Sequence, residues 1–243
     1  MNIYRHLKHL FYKIDIWIKS KKTPEGIEYI YVNNSAKQLV LVFDGIGADY
    51  NYRRSFRKSS WDQLYIKDSW AGGVSYYLYE NGNNHPEKIT SDFIVRFLLN
   101  HHYNKIVTFG SSKGGSSALY FGLKHHFDEV YAGACQYRVG DYIGIYHELN
   151  QNGYYKRVMG DMEKNKVICL LNGCYERIIE ENNSTKTVIH LLYSKCEHTY
   201  KDHIIHLISK LDQYNIQHID IIEQFSQHSM IGNYMKRLCS KFR

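Results

Sequence analysis

Residues 107–122 read VTFGSSKGGSSALYFG. A β-branched and aromatic run gives way to small residues, and the apolar spacing of a helix begins beyond them. KIVTFG (105–110) is short, apolar and β-branched, the pattern of a buried strand. SSALYFGLKHH (116–126) carries its apolar residues at helical spacing. Between them Gly110, Ser112 and Gly114 form GxSxG. At a strand-to-helix junction this pattern has a mechanical reading: a sharp turn lifts the serine hydroxyl above the sheet, and the small neighbours let adjacent backbones pass closely. The helix start also points free N–H groups at the serine, which favours negative charge there. A glycine-rich turn without chemistry is the plain alternative. A P-loop is excluded by order, because Lys113 precedes the glycine pair.

Working outward, IEYIYV (27–32), QLVLVF (38–43) and QLYIK (63–67) read as strands, as does VSYYLY (74–79). ITSDFIVRFLLNHH (89–102) has helical periodicity behind a threonine or serine that could cap it. DEVYAGACQ, VICLLNGC, TVIHLLYSK and HIDIIEQ add four strand candidates, HTYKDHIIHLISKLDQY (198–214) a helix, and residues 230–243 a closing helix. Alternation of this kind predicts a mostly parallel central sheet covered by helices on both faces.

A serine nucleophile needs a base for its proton and an acid to hold that base in the right tautomer. In known folds that carry a nucleophile on a GxSxG strand-to-helix turn, they follow in the order acid, then histidine, each in a loop after a late strand. His228 lies in FSQHSMIGNY, after HIDIIEQ, and Glu197 lies in CEHTYKDH, after TVIHLLYSK. Asp202 is the second choice of acid, since it falls where a helix should have begun. Asp220 and Glu223 lie on or beside the strand that delivers the histidine. For an oxyanion, the N–H of Lys113 supplies one donor, and Gly45 or Ile46 in FDGIG the other. Glycine at 45 is expected to permit a tight turn. Arg53, Arg54, Gln136, Tyr137, Arg138 and Asp141 are the polar residues expected at the mouth, with Tyr137, Tyr142 and Trp70 as sugar-stacking faces.

With 243 residues, 44% of them apolar, the chain can bury a full core. The formal charge of +7 permits acidic partners, but the cations are interleaved with acids and no recognition motif accompanies them, which argues against sequence-specific nucleic-acid binding. Five cysteines without a CxxC pair suit reduced thiols and a cytoplasmic home. The histidines show no metal-ligand spacing, and neither metal nor cofactor is expected. In MNIYRHLKHLFYKIDIWIKSKK, Lys13 and Asp15 interrupt the apolar stretch, which argues against a secretory leader. Ile3, Leu7, Leu10, Ile14 and Trp17 nevertheless recur at helical spacing among Arg5, Lys8, Lys13 and Lys19. A basic amphipathic helix is expected over 1–24, ahead of a single domain over 25–243. That helix either packs on the domain or, through residues 1–22, contacts a membrane surface or a protein partner.

The stretches LVFDGIG, LYIKD, YYLYENG, TFGSSKGGSSALYFGLKH, GACQYRVGDYI, LLYSKCEHTYKDHI and HSMIGNYM resemble a bacterial family of α/β-hydrolase-like proteins. It includes the accessory secretion proteins that O-acetylate sugars on serine-rich glycoproteins, and capsular polysaccharide biosynthesis proteins. The resemblance runs from about residue 38 onward and leaves the first helix outside it. It implies an α/β-hydrolase-like three-layer sandwich and a triad of the serine in GSSKGG, a glutamate in the YSK loop and a histidine before the last helix. These fall on Ser112, Glu197 and His228. The loop departs from the pattern in placing Cys196 between Lys195 and the acid. The activity implied is O-acetyl transfer or ester hydrolysis on a cell-surface glycan, with an acetyl ester or thioester as donor. The alternative from another class is a non-catalytic glycan-binding or assembly-accessory protein using the same cleft.

Overall fold

The computed structural model describes residues 3–146 and 153–243. Eight strands form one sheet: β1 (Lys21–Lys22), β2 (Glu28–Val32), β3 (Gln38–Phe43), β4 (Asp62–Lys67), β5 (Lys105–Ser111), β6 (Glu129–Gly133), β7 (Val188–Tyr193) and β8 (His218–Ile222). Their order is β1-β2-β4-β3-β5-β6-β7-β8, antiparallel at β1/β2 and β2/β4 and parallel elsewhere. The longer helices are α1 (Ile3–Lys19), α2 (His85–Leu99), α3 (Lys113–Lys124), α4 (Lys164–Glu181), α5 (Ile205–Gln213) and α6 (Ile231–Leu238).

Strand alternation generates the layers. Leu39, Leu41 and Phe43 of β3 join one buried cluster with residues of α2, α3, α4 and α5, whereas Val40 and Val42 join a second with Ile231 and Met235 of α6. Successive strand side chains point to opposite faces, so a strand apolar throughout must be covered twice.

Two strand expectations fail. VICLLNGC is not a strand but the middle of α4: Val167, Leu171, Cys174, Tyr175 and Ile178 are buried at three- and four-residue steps, a helical face that an eight-residue apolar run conceals. Val74–Tyr79 is a buried turn. Tyr76 and Tyr77 have φ of 56° and 58°, which no strand accepts, and the Tyr77 hydroxyl donates to Ile66 O at 2.6 Å while accepting the Asp44 N–H at 2.9 Å. Helix α2 also starts earlier than expected, at His85, with Pro86 in its first turn and no side-chain cap.

Helix α1 does not bury its apolar stripe. Its polar flank meets the domain: Asp15 pairs with Arg53, the Arg54 guanidinium lies 3.9 Å from the Tyr12 ring centroid, and Ile16 packs on the second cluster. Leu10, Phe11, Ile14, Trp17 and Ile18 face solvent, Trp17 with 80% of its surface exposed. The side chains of Ile3, Arg5 and Lys8 lie outside the described residues. Among the described residues, no helix is long and apolar enough to cross a membrane.

Candidate active site

The β5–α3 turn places Ser112 with φ 54° and ψ −130°, a conformation that costs a non-glycine residue about 1–3 kcal/mol and persists only where its surroundings impose it. Ser112 N–H donates to Gly133 O at 2.7 Å, and Ser116 N–H donates to Ser112 O at 3.0 Å. The glycines serve close approach. A Cβ on Gly110 would run into the Gly114 carbonyl, and one on Gly114 into the Phe43 carbonyl and, at 3.1 Å, that of Asp44.

His228, at the turn after β8 that leads into α6, brings Nε2 to 2.7 Å from Ser112 Oγ and Nδ1 to 3.1 Å from Glu197 Oε1. A carboxylate only accepts, so the Nδ1 site carries the proton and Nε2 presents a lone pair to the serine hydroxyl. Glu197, fully buried in the loop after β7, receives the Thr199 N–H on Oε2 at 3.2 Å and the Thr199 hydroxyl on the same oxygen. Burial alone would raise the Glu197 carboxyl, but the hydrogen bonds from His228 and Thr199 hold it below the usual carboxylate range. The buried acid therefore stays ionised at neutral pH. Asp202 does not reach this histidine; its carboxylate lies 3.5 Å from His198 Nδ1.

His198 Nε2 also approaches Glu197 Oε1, at 3.0 Å. Glu197, His198 and His228 are thus the described residues whose ligand atoms gather closely enough for a metal ion, all within 4.8 Å of one another. Here the shared carboxylate already accepts from the His228 imidazole, and Nε2 of His228 is directed at the serine, an arrangement suited to moving a proton.

Gln136, expected at the mouth, does not line the cleft: it is fully buried, and its Nε2 donates to Ser112 Oγ at 3.3 Å while its own N–H donates to Ser116 Oγ at 2.8 Å. Arg53 and Arg54 line a cleft of about 680 Å3 together with Ser112, His228 and Tyr142. The other expected mouth residues lie elsewhere. Tyr137 and Trp70 are buried in the first core cluster, and Arg138 is paired with Asp141 at 2.6 Å, away from the cleft lining.

Gly45 and Ile46 line the cleft beside Ser112, and Lys113 opens α3. Glycine at 45 answers no conformational demand, since its φ is not positive and a Cβ there would find its nearest atom at 3.5 Å. The loop is instead fixed by Asp44, whose carboxylate accepts the N–H groups of Tyr50 at 2.9 Å and Asn51 at 2.6 Å. Burial pushes the Asp44 carboxyl up to about 7 against the opposing pull of those N–H groups and of Lys113. The Lys113 side chain runs into the interior: Nζ donates to Asp68 Oδ2 at 2.7 Å and Gly73 O at 2.9 Å, with neither charged side chain more than 1% exposed. It ties the turn beside the nucleophile to the β4–α2 connection. These supports went unforeseen, although a lysine among small residues and a threonine two places after the acid were visible signals.

No protein-family model matches the chain, nor does any curated protein. Solved structures do match. The capsule O-acetyltransferase of Neisseria meningitidis serogroup A, a mutant in complex with CoA, superposes with a TM-score of 0.75 at 17% identity, over 92% of this chain and 94% of that one. The glycosylation-associated protein (Gap123) complex of Streptococcus agalactiae gives 0.71 at 16% identity, over 90% of this chain and 45% of that one. The fluorophosphonate-binding serine hydrolase F of Staphylococcus aureus, substrate bound, gives 0.63 at 14%, over 92% and 96%. This chain has the α/β-hydrolase-like fold. The sheet order and the β5–α3 turn agree with that assignment.

Proposed function

We propose that the protein is a serine-dependent acyl-transfer enzyme, an O-acetyltransferase or esterase, acting on a bacterial cell-surface or capsular polysaccharide or a glycoprotein glycan. The observation that carries this is the pair Ser112 and His228 lining the cleft, 2.7 Å apart, with buried Glu197 behind the imidazole. Support for a glycan substrate comes from the fold shared with a capsule O-acetyltransferase.

In this mechanism His228 Nε2 takes the Ser112 proton as Oγ attacks the carbonyl carbon of an acetyl ester or thioester. The N–H of Lys113 and that of Gly45 or Ile46 face the developing oxyanion. Collapse of the intermediate breaks the bond to the donor's oxygen or sulfur, which leaves with the proton from His228. A sugar hydroxyl then gives its proton to His228 and attacks the acyl-serine; water in its place gives hydrolysis. The donor is a substrate, and no resident cofactor enters the reaction. Glu197 holds the imidazole tautomer throughout and stabilises its protonated form. Exposed Leu10, Phe11, Trp17 and Ile18 support a membrane or protein contact through residues 1–22 as part of the same proposal.

The test is acid-quenched intact mass after incubation with acetyl-CoA. Wild type should gain one acetyl group and Ser112→Ala none, with CoA thiol release accelerated by an acceptor glycan. Absence of both acetyl-enzyme and thiol release, across ester and thioester donors, would transfer support to the non-catalytic binding reading.

A further inference from the structure

The cleft above Ser112 does not end at Arg53 and Arg54. A second cleft of about 840 Å3 adjoins it, running between α1 and the turn Ser55–Lys58, and Tyr12, Arg53, Arg54 and Ser55 line both. Either volume alone matches a small-molecule site, typically about 300–1,000 Å3, so the pair offers more room than an acetyl donor's reacting end needs. The lining of the second cleft is strongly cationic. Lys19, Arg57 and Lys58 join the two arginines, while Asp15 is the one acidic side chain among its described residues. Asp15 is already held by Lys19 at 3.0 Å and by Arg53.

Arg53 is the second observation. Its side chain is only 9% exposed, at the junction of the clefts, and Nε has no hydrogen-bond partner. Its guanidinium is held in place by the pairing with Asp15, which fixes a positive charge at the junction of the two clefts. The cations are also spread out: Lys236 lies in the first cleft, Arg53 and Arg54 at the junction, and Lys19, Arg57 and Lys58 beyond. One compact anion would use one of these positions. A chain bearing an anion at successive units would use them all.

We propose that the second cleft binds an acidic segment of the acceptor glycan, carrying carboxylate or phosphate groups on successive sugars, while a hydroxyl of the same chain reaches Ser112. This rests on the acyl-transfer reading. Arginine and lysine would read the charges.

The test is fluorescence anisotropy with two end-labelled tetrasaccharides of the same length, linkage and sugar configuration, tetragalacturonate and its carboxyl-reduced form α-1,4-galactotetraose, which differ only in the carboxylates. Tetragalacturonate should bind at least about tenfold more tightly, and should lose about that factor in Arg57→Glu/Lys58→Glu and, less steeply, in Arg57→Gln/Lys58→Gln, the fallback if charge reversal impairs folding. Lys186→Glu/Lys210→Glu, remote from both clefts, should keep wild-type affinity. Equal affinity for the two saccharides, or equal loss in the remote variant, would overturn the proposal. So would CoA, rather than tetragalacturonate, being the ligand weakened by Arg57 and Lys58 reversal. Fluorophosphonate labelling of Ser112 in wild type reports separately on the acyl-transfer reading, so a labelled serine with an indifferent groove refutes this inference alone.

Discussion

Replacing Glu197 by Gln changes one atom and should remove most of the serine's reactivity. Oε2 of Glu197 faces two Thr199 donors, one of them a backbone N–H that cannot turn away. The amide oxygen of Gln is therefore held on that side, and its NH2 is directed at His228 Nδ1. Nδ1 must then become an acceptor, which moves the imidazole proton to Nε2, 2.7 Å from Ser112 Oγ, where a lone pair is required. Flipping the amide restores the tautomer but sets its NH2 against the Thr199 N–H, at about 1–3 kcal/mol for the unsatisfied donor, or roughly 5- to 150-fold. The flipped form still lacks the negative charge that stabilises the imidazolium. Together these should lower the second-order rate of fluorophosphonate labelling by about 10^3 to 10^4, equivalent to about 4–5.5 kcal/mol of barrier. Thermal unfolding would establish that the variant is folded. A folded Glu197→Gln protein labelled within tenfold of wild type would refute Glu197 as the orienting acid.

Gly114→Ala should cost about 1–3 kcal/mol and slow labelling, because its Cβ drives against the Phe43 and Asp44 carbonyls and displaces the loop bearing Gly45; an unchanged melting midpoint and labelling rate would contradict the close approach. Lys113→Met leaves Asp68 charged and buried without its partner, at about 3–5 kcal/mol, and Asp68→Asn in the same chain should recover part of the lost midpoint in calorimetry. His203, buried and accepting the Arg138 N–H on Nδ1 at 3.3 Å, has its pKa lowered to about 3 by burial, aided by the nearby charges of His198 and Arg138. The unfolded chain then takes up this proton first, so stability is full above about pH 6.5 and is lost as pH falls toward 3. His203→Gln should flatten the acid side of a melting-midpoint profile between those values, and an identical slope would refute the assignment.

The central elements were legible because they satisfy local and global demands together. β3 is apolar on both faces because both faces are covered, and the glycines around Ser112 are required by backbone contacts that the GxSxG pattern implies. Chain order pointed to His228 and Glu197, since a parallel sheet delivers its late loops to one end, and the family resemblance pointed to the same two residues. What escaped depends on distant segments meeting. VICLLNGC reads equally as a strand or a helix until α3 and α5 lie against it, and Val74–Tyr79 reads as a strand until Asp44 and Ile66 bind the Tyr77 hydroxyl. The inward course of Lys113 and the contact of Gln136 with Ser112 are of the same kind. Helix α1 shows the converse: its periodicity was plain, but only the placement of Asp15 against Arg53 determines that the apolar stripe faces outward.

The most direct test of the account is fluorophosphonate labelling read by intact mass and peptide mapping, on wild type, Ser112→Ala and His228→Ala. One label per wild-type chain, mapped to Ser112 and lost in both variants, is the predicted result. A folded wild-type protein that takes no label, or that is labelled equally after Ser112→Ala, would contradict an activated serine at this site.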